Sequence, residues 1–260
     1  MSTLRREAQL IEEFHLTFLL VLATSFRRGH HVLKGGANLR YFYASFRYSQ
    51  DLDLDYLGDQ PWRLEAVVDT ILSGRQLSAL LSQSGISAAT ARKTKQTDTT
   101  RRWKLELRSV GGAAVPTKIE ISARGNQYEH EYKSIPESVI QPYGLRPFST
   151  EAYTLPAMIQ LKVAALAERS QTRARDVFDL DLLLRLRAKT REPVTIRPLE
   201  ATQAAARARE LTDRTFEGEV VPFLELDVAG LYAADDTWRT MRASVAKGLE
   251  AIAAASPQQS

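Results

Sequence analysis

The sequence predicts an α+β protein in which a mixed α/β half precedes a helical one, and three observations predict it. Several short stretches within residues 31–123 alternate apolar and polar residues, the period of a strand with one buried face, and helical spacing lies between them. Beyond Pro156, four successive stretches carry helical spacing and strand signals become scarce. Between the two regimes stand Pro142, Gly144 and Pro147, which punctuate regular structure. A boundary is therefore expected within residues 145–155, with domains over 1–148 and 149–260.

In chain order, Leu10, Ile11, Phe14, Phe18, Leu19, Val21 and Leu22 predict a first helix ending near Gly29. A short strand, His31 to Lys34, follows. Gly35-Gly36 turns the chain into a short helix over Ala37 to Tyr43, whose N-terminal amides point back at the turn and suit phosphate. Asp51-Leu52-Asp53-Leu54-Asp55-Tyr56 alternates acid with apolar residue, a strand with one carboxylate-lined face. Arg63 to Leu81 reads as an amphipathic helix, and Ser82 to Thr100 as a loop or an edge hairpin. Trp103 to Val110 and Thr117 to Ala123 read as strands of a hairpin turned at Gly111-Gly112. The helical half comprises Ala157 to Arg169, Arg173 to Arg187, Ala201 to Leu211 and Thr237 to Ala255, and the Ser256 to Ser260 tail is expected to fray.

Composition bounds the chemistry. The chain has no cysteine, which excludes disulfides, thiolate nucleophiles and cysteine-held zinc and fits a reducing cytoplasm. The apolar run Phe18 to Ala23 is too short to span a bilayer and no signal-peptide layout precedes it, so a membrane role is not expected. Net charge is only +4, yet Arg92, Lys93, Lys95, Arg101, Arg102, Lys104 and Arg108 face only Asp98 and Glu106 within one segment. That segment holds all the excess positive charge, as a surface for polyphosphate or nucleic acid does. A solvated basic strand and loop is the plainer explanation. His15, His30, His31 and His130 form no ligand pattern, with His30-His31 expected at the surface. Among Trp62, Trp103 and Trp238, Trp103 is the candidate for stacking on a base, since Arg101, Arg102 and Lys104 surround it.

Three features converge on one site. A Gly-Gly turn lies between strand and helix; Asp51-x-Asp53 follows fifteen residues after Gly36; and Glu120 stands between Ile119 and Ile121 on a second strand. Carboxylates two apart on a strand share a face, Asp51 with Asp53 or, shifted by two, Asp53 with Asp55, and can hold hard divalent cations, which neutralise a triphosphate and its leaving pyrophosphate. The third carboxylate, Glu120 or Asp55, binds a second metal or takes a proton. A half-exposed edge strand whose charges oppose aggregation accounts for the same acids without chemistry.

Leu33-Lys34-Gly35-Gly36-Ala37-Asn38-Leu39-Arg40 followed by Arg47-Tyr48-Ser49-Gln50-Asp51-Leu52-Asp53-Leu54 resembles the opening motif of the AbiEii/AbiGii-type nucleotidyltransferase toxins, Lys-Gly-Gly-Thr-Ala-Leu and then Arg-Phe-Ser-x-Asp-Leu-Asp-Phe. Ile159 to Leu166, Arg169 and Arg175-Asp176-Val177-Phe178-Asp179-Leu180 are similar to the family's Glu-Lys-x-x-Ala-Leu-x-x-Arg and Arg-Asp-x-x-Asp-Leu, with Gln160-Leu161 in place of the acidic approach to the lysine. The resemblance implies a polymerase-β-like core followed by a helical domain that closes the active site. It implies Mg²⁺ (or Mn²⁺) on Asp51 and Asp53, an NTP substrate contacted by Lys162, and Asp176 completing the site. Arg175, Asp176 and Asp179 lie within about one turn, where a structural Arg-Asp pair is the plainer explanation for part of the group, and Asp179 is expected to be the structural acid. Gly35, Gly36, Arg47, Ser49, Arg175, Arg101 and Arg102 are the expected substrate-binding residues, and Glu120 the expected further metal ligand. Lys162 lies on an otherwise apolar helix, where a cation needs a waiting partner or a route to solvent. The activity expected is transfer of a nucleotide to RNA, at the 3′ end of tRNA, by the toxin of a toxin–antitoxin or phage-defence pair. Transfer to a protein or small molecule, and a catalytically silent binding partner, are the alternatives.

Overall fold

The computed structural model describes residues 3–25, 29–58, 60–109, 112–125, 128–232 and 236–255. It divides into two compact units, Met1–Ala44 with Tyr48–Tyr153, and Ser45–Arg47 with Thr154–Ser260.

The first unit is built on a mixed sheet. Among the described residues its strands are β1 (His31–Lys34), β2 (Asp51–Tyr56), β3 (Ile86–Thr97), β4 (Thr100–Ser109), β5 (Ala114–Ser122), β6 (His130–Ser134) and β7 (Ser149–Tyr153), in the order β3-β4-β5-β2-β1-β7-β6. β2 runs parallel to β5 and β1 parallel to β7, while the other neighbours are antiparallel. Strand alternation gives the sheet two unlike faces. Leu33, Leu52, Leu54, Trp103, Leu105, Ile119 and Ile121 point to one face and are buried. There they join the core with Phe14, Phe18, Leu19 and Leu22 of α1 (Thr3–Ser25) and Leu64, Val68 and Ile71 of α3 (Pro61–Ser73). Each such side chain contributes about 1.5–3 kcal/mol of burial free energy, so this apolar face fixes which residues are left on the other. α2 (Gly35–Phe42) leads from β1 toward β2, α4 (Arg75–Gln83) packs on β3, and α5 (Glu137–Ile140) is a single turn before β7.

Several expectations need correction. α1 is described over Thr3–Ser25, and Phe26 to Arg28, just before its expected end near Gly29, lie outside the described residues. The helix expected over Arg63 to Leu81 is two helices, because Gly74 takes an extended conformation between α3 and α4. Ser82 to Thr100 resolves to the edge-hairpin alternative: β3 pairs with β4 from Ile86 to Thr97. The hairpin of β4 and β5 is present, but Val110 and Gly111 of its turn lie outside the described residues. Ser149–Tyr153, read as the start of the helical half, is β7 between β1 and β6. His31 is buried, not at the surface, because it opens β1 inside the sheet.

The second unit is helical: α6 (Leu155–Glu168), α7 (Ala174–Thr190), α8 (Pro198–Glu210), α9 (Asp213–Glu219), α10 (Leu226–Ala229) and α11 (Thr237–Ala255). Small residues let α8 approach its neighbours closely, Ala201, Ala204, Ala205 and Ala208 all being buried. Phe216 stacks on Trp238 at 4.6 Å between centroids, so that tryptophan is core. Ser45–Arg47 pack with this unit, where Arg47 forms an isolated β-bridge to Leu224. The expected fraying of Ser256 to Ser260 lies outside the described residues.

Candidate active site

The acids of β2 meet the rest of their face through strand register. Asp51 stands opposite Lys118 and Asp53 opposite Glu120 on β5, while Lys34 of β1 stands opposite Asp53 from the other side. Glu120 in turn is level with Arg102 of β4, and Lys118 with Lys104. Four cations and one further acid thus surround the Asp51–Asp53 pair on the face that the apolar core leaves free.

The contacts are specific. Lys118 Nζ lies 3.0 Å from Asp51 Oδ2. Arg102 donates to Glu120 Oε2 at 2.7 Å through Nε and lies 2.6 Å from it through Nη2. Lys34 donates to Asp55, which also accepts the Tyr153 hydroxyl at 2.7 Å. Asp55 is therefore a buried anchor between β2, β1 and β7, and Glu120 is the carboxylate level with Asp53. Burial, followed by the charge of Asp51, raises the Asp53 carboxyl above its usual range; Lys34 opposes this, Glu120 adds to it and Lys118 opposes it. An oxygen-only donor pair in which burial and a neighbouring carboxylate oppose the charge of Asp53 suits a hard divalent cation. Asp51 and Asp53 would hold it. Among the described residues no three His, Asp or Glu side chains are gathered tightly enough to form a ready-made metal cage, and Glu120 is held by Arg102.

The Gly-Gly turn is fitted to these acids. Gly35 has φ +68°, and a Cβ there would lie 2.6 Å from Asp53 Oδ2 and 3.3 Å from Asp53 Cβ. A side chain would be strained by the φ and would crowd the carboxylate, so glycine lets the backbone opening α2 pack against it. Gly36 is buried in the first turn of α2, whose N-terminus has no side-chain cap. The entrance to β2 is fixed as well. Ser49, expected at a phosphate, donates to the Asp51 carbonyl at 2.8 Å. Thr117 donates to the Gln50 carbonyl at 2.7 Å, and its oxygen lies 2.9 Å from His15 Nε2. One hydroxyl has one proton, so His15 must donate, which fixes its Nε2–H tautomer. Burial pushes the His15 pKa down to about 3 and keeps the ring neutral.

A family model described as nucleotidyl transferase AbiEii toxin, type IV TA system, matches residues 17–256. The chain belongs to this family. AbiEii membership makes it a nucleotidyltransferase toxin acting on a nucleotide substrate, usually with a divalent metal, and countered by an antitoxin. No curated protein matches it. The fold is similar to that of a putative nucleotidyltransferase from Helicobacter pylori, with TM-score 0.56, 19% identity, and coverage of 98% of this chain and 95% of that one. It is likewise similar to MenT4, a nucleotidyltransferase toxin from Mycobacterium tuberculosis, with TM-score 0.58, 16% identity, and coverage of 96% and 95%. No described helix is long and apolar enough to cross a membrane.

The second AbiEii motif builds a buried charge cluster inside the helical unit. Lys162 of α6 donates to Asp176 at 3.1 Å and to Asp179 at 2.6 Å, both on α7. Arg47 grips Asp179 through Nη2 at 2.9 Å and Nε at 3.2 Å, and Arg169 donates to Asp176 at 2.7 Å. Burial by itself would raise the Asp179 carboxyl, but Arg47 and Lys162 outweigh it and hold the group below its usual range. Arg47, expected at the substrate, is buried in this cluster. Arg175, also expected there, takes part in no ion pair among the described residues and is partly exposed.

The basic segment is sorted by strand alternation. Lys93 and Arg101 point to the helix-covered face, where both reach Glu65 of α3. Trp103 is 1% exposed and donates to Asp69 at 2.9 Å, so the expected base-stacking residue is core. Arg102 faces the acids. Sequence reasoning assigned no role to Lys34, Lys118 or the His15–Thr117 pair. Lys118 was legible, since it precedes Glu120 by two positions on one strand face.

Proposed function

We propose that this AbiEii-family enzyme uses Mg²⁺ and an NTP to add a nucleotide to the 3′ end of an RNA, most specifically tRNA, in the cytoplasm. The observation that carries the proposal is the Asp51–Asp53 pair, level with Glu120 on the next strand and closed from the β1 side by Gly35. A divalent cation bound there supplies positive charge to the triphosphate and the departing pyrophosphate. Asp51 and Asp53 position it, the strand register keeps both carboxylates on one face, and Gly35 lets the α2 amides approach. The RNA 3′-oxygen attacks the α-phosphorus and forms a new P–O bond, while the bond to the β-phosphate oxygen breaks and pyrophosphate departs. The hydroxyl proton passes to a carboxylate of the face, Glu120 in this reading, or to water. Most of the acceleration comes from positioning and charge stabilisation. Lys162 and Asp176 are proposed as the functional pair of the helical unit, on the motif match and on a burial that a purely surface lysine would not have. The basic residues on the acid-bearing face support an RNA acceptor, since the phosphate backbone dominates such binding.

The test is incubation of the protein with total tRNA, Mg²⁺ and each α-³²P-labelled NTP, beside Asp53→Ala. Label in tRNA with the intact protein alone is expected and names the nucleotide. Absence of label with every NTP refutes the tRNA acceptor and directs the search to protein or small-molecule acceptors.

A further inference from the structure

A cavity of about 510 Å³ opens beside Asp51, lined by Gln50, Arg92, Lys104, Glu106, Pro116 and Lys118 among others. Its cations are in line: Arg92 of β3 is level with Lys104 of β4, which is level with Lys118 of β5, which is level with Asp51. With ~4.8 Å between neighbouring strands, this row runs about 14 Å outward from the metal-binding acid. What distinguishes it is what it lacks. Lys93 and Arg101 are paired with Glu65 and Arg102 with Glu120, while Arg108 is loosely paired with Glu106 at 3.8 Å. Among the described residues, Arg92 and Lys104 are in no ion pair, and both are exposed; Lys95 is likewise exposed and in none, but it is level with Arg102 and outside the row. Lys118 alone of the row is engaged, with Asp51 itself.

We propose that the Arg92–Lys104–Lys118 row is the track for the incoming acceptor strand, binding consecutive backbone phosphates of single-stranded RNA and delivering its 3′ end to Asp51. The assignment rests on the RNA-acceptor reading above and adds to it which cations carry the acceptor. Two unpaired cations on rigid strands in a groove suit a chain of evenly spaced anions. Lys118, at the inner end, pairs with Asp51 at 3.0 Å and would be free for the last phosphate if the carboxylate held a divalent cation instead. Arg101, singled out by the sequence for RNA, lies on the other face of the sheet and is outside the track.

The test uses the full chain, a fluorescein-labelled 12-nucleotide RNA with a free 3′-hydroxyl, and the variant Arg92→Ala/Lys104→Ala. Both positions are exposed, so the variant keeps its fold; its urea midpoint checks this. Anisotropy titrations over a range of NaCl are expected to give a log–log salt slope shallower by about 1.4, at ~0.7 per single-strand phosphate contact. Affinity at low salt should fall on the order of tenfold, with binding of a labelled NTP in Mg²⁺ unchanged. Wild-type RNA affinity and slope in the variant would overturn the track while leaving the RNA reading intact. Loss of NTP binding as well would assign the cations to the nucleotide and overturn the proposal. Displacement of the RNA by polyglutamate as readily as by unlabelled RNA would point to an acidic polypeptide instead. No RNA binding by the intact protein, under conditions where it binds NTP, would refute the acceptor reading itself.

Discussion

Replacing Gly35 by alanine probes the contact on which the active-site geometry turns. At φ +68° an L residue sits in the left-handed region at a cost of roughly 1–2 kcal/mol. The new methyl would also lie 2.6 Å from Asp53 Oδ2, where no carbon can sit. The carboxylate must rotate away or β1 must move from β2. The first costs little stability but displaces the proposed metal ligand; the second weakens the Lys34–Asp53 end of the β1–β2 pairing. Gly35→Ala should therefore lower stability by about 1–3 kcal/mol, from backbone strain plus the displaced contact. It should lower nucleotidyl transfer by far more than that change in folded population explains. The assay pairs urea unfolding with single-turnover transfer at saturating NTP under conditions where the variant is fully folded. Wild-type turnover with wild-type stability would refute the argument. A loss of stability without a loss of turnover would show that Asp53 tolerates the displacement, and would remove Gly35 from the site.

Three further outcomes are expected. His15 and His31 have pKa values lowered to about 3 and about 4, by burial in both and additionally by His30 for His31. Their stabilisation is complete above the unfolded-state value of about 6.5 and is lost as pH falls, because only the unfolded chain takes up the protons. The two together should cost the first unit about 3 kcal/mol between pH 7.5 and 5.5, so a urea midpoint that does not move over this range would contradict the assignment. Asp179→Asn removes the carboxylate that Arg47 grips and one of the two that Lys162 holds, Asp176 remaining to the lysine, and should destabilise the helical unit by about 3 kcal/mol; a thermal-unfolding loss below about 1 kcal/mol would show that the cluster is hydrated or rearranges. Thr117→Val removes both the acceptor for His15 and the donor to Gln50, and should cost about 1–3 kcal/mol; a double-mutant cycle with His15→Leu that gives no coupling would rule the pair out as a unit.

By itself the sequence determined the local pattern. Alternation set the β2 carboxylates on one face, because a strand period of two leaves no other arrangement once Leu52 and Leu54 enter the core. Helical spacing beyond Pro156 and the two motifs placed Gly35, Asp51, Asp53, Lys162 and Asp176 in an AbiEii frame. Tertiary structure decided which charges meet. Nothing local tells that β2 lies parallel to β5, yet that pairing brings Glu120 level with Asp53 and Lys118 level with Asp51. The same holds for Arg47, drawn into a buried cluster with Asp179, 132 residues away, and for Trp103, whose apolar ring and N–H are satisfied by the core and Asp69. A basic residue reads alike on either face of a strand. Only strand register, and the acids that α3 presents to one side, separate Lys93 and Arg101, already paired with Glu65, from Arg92 and Lys104.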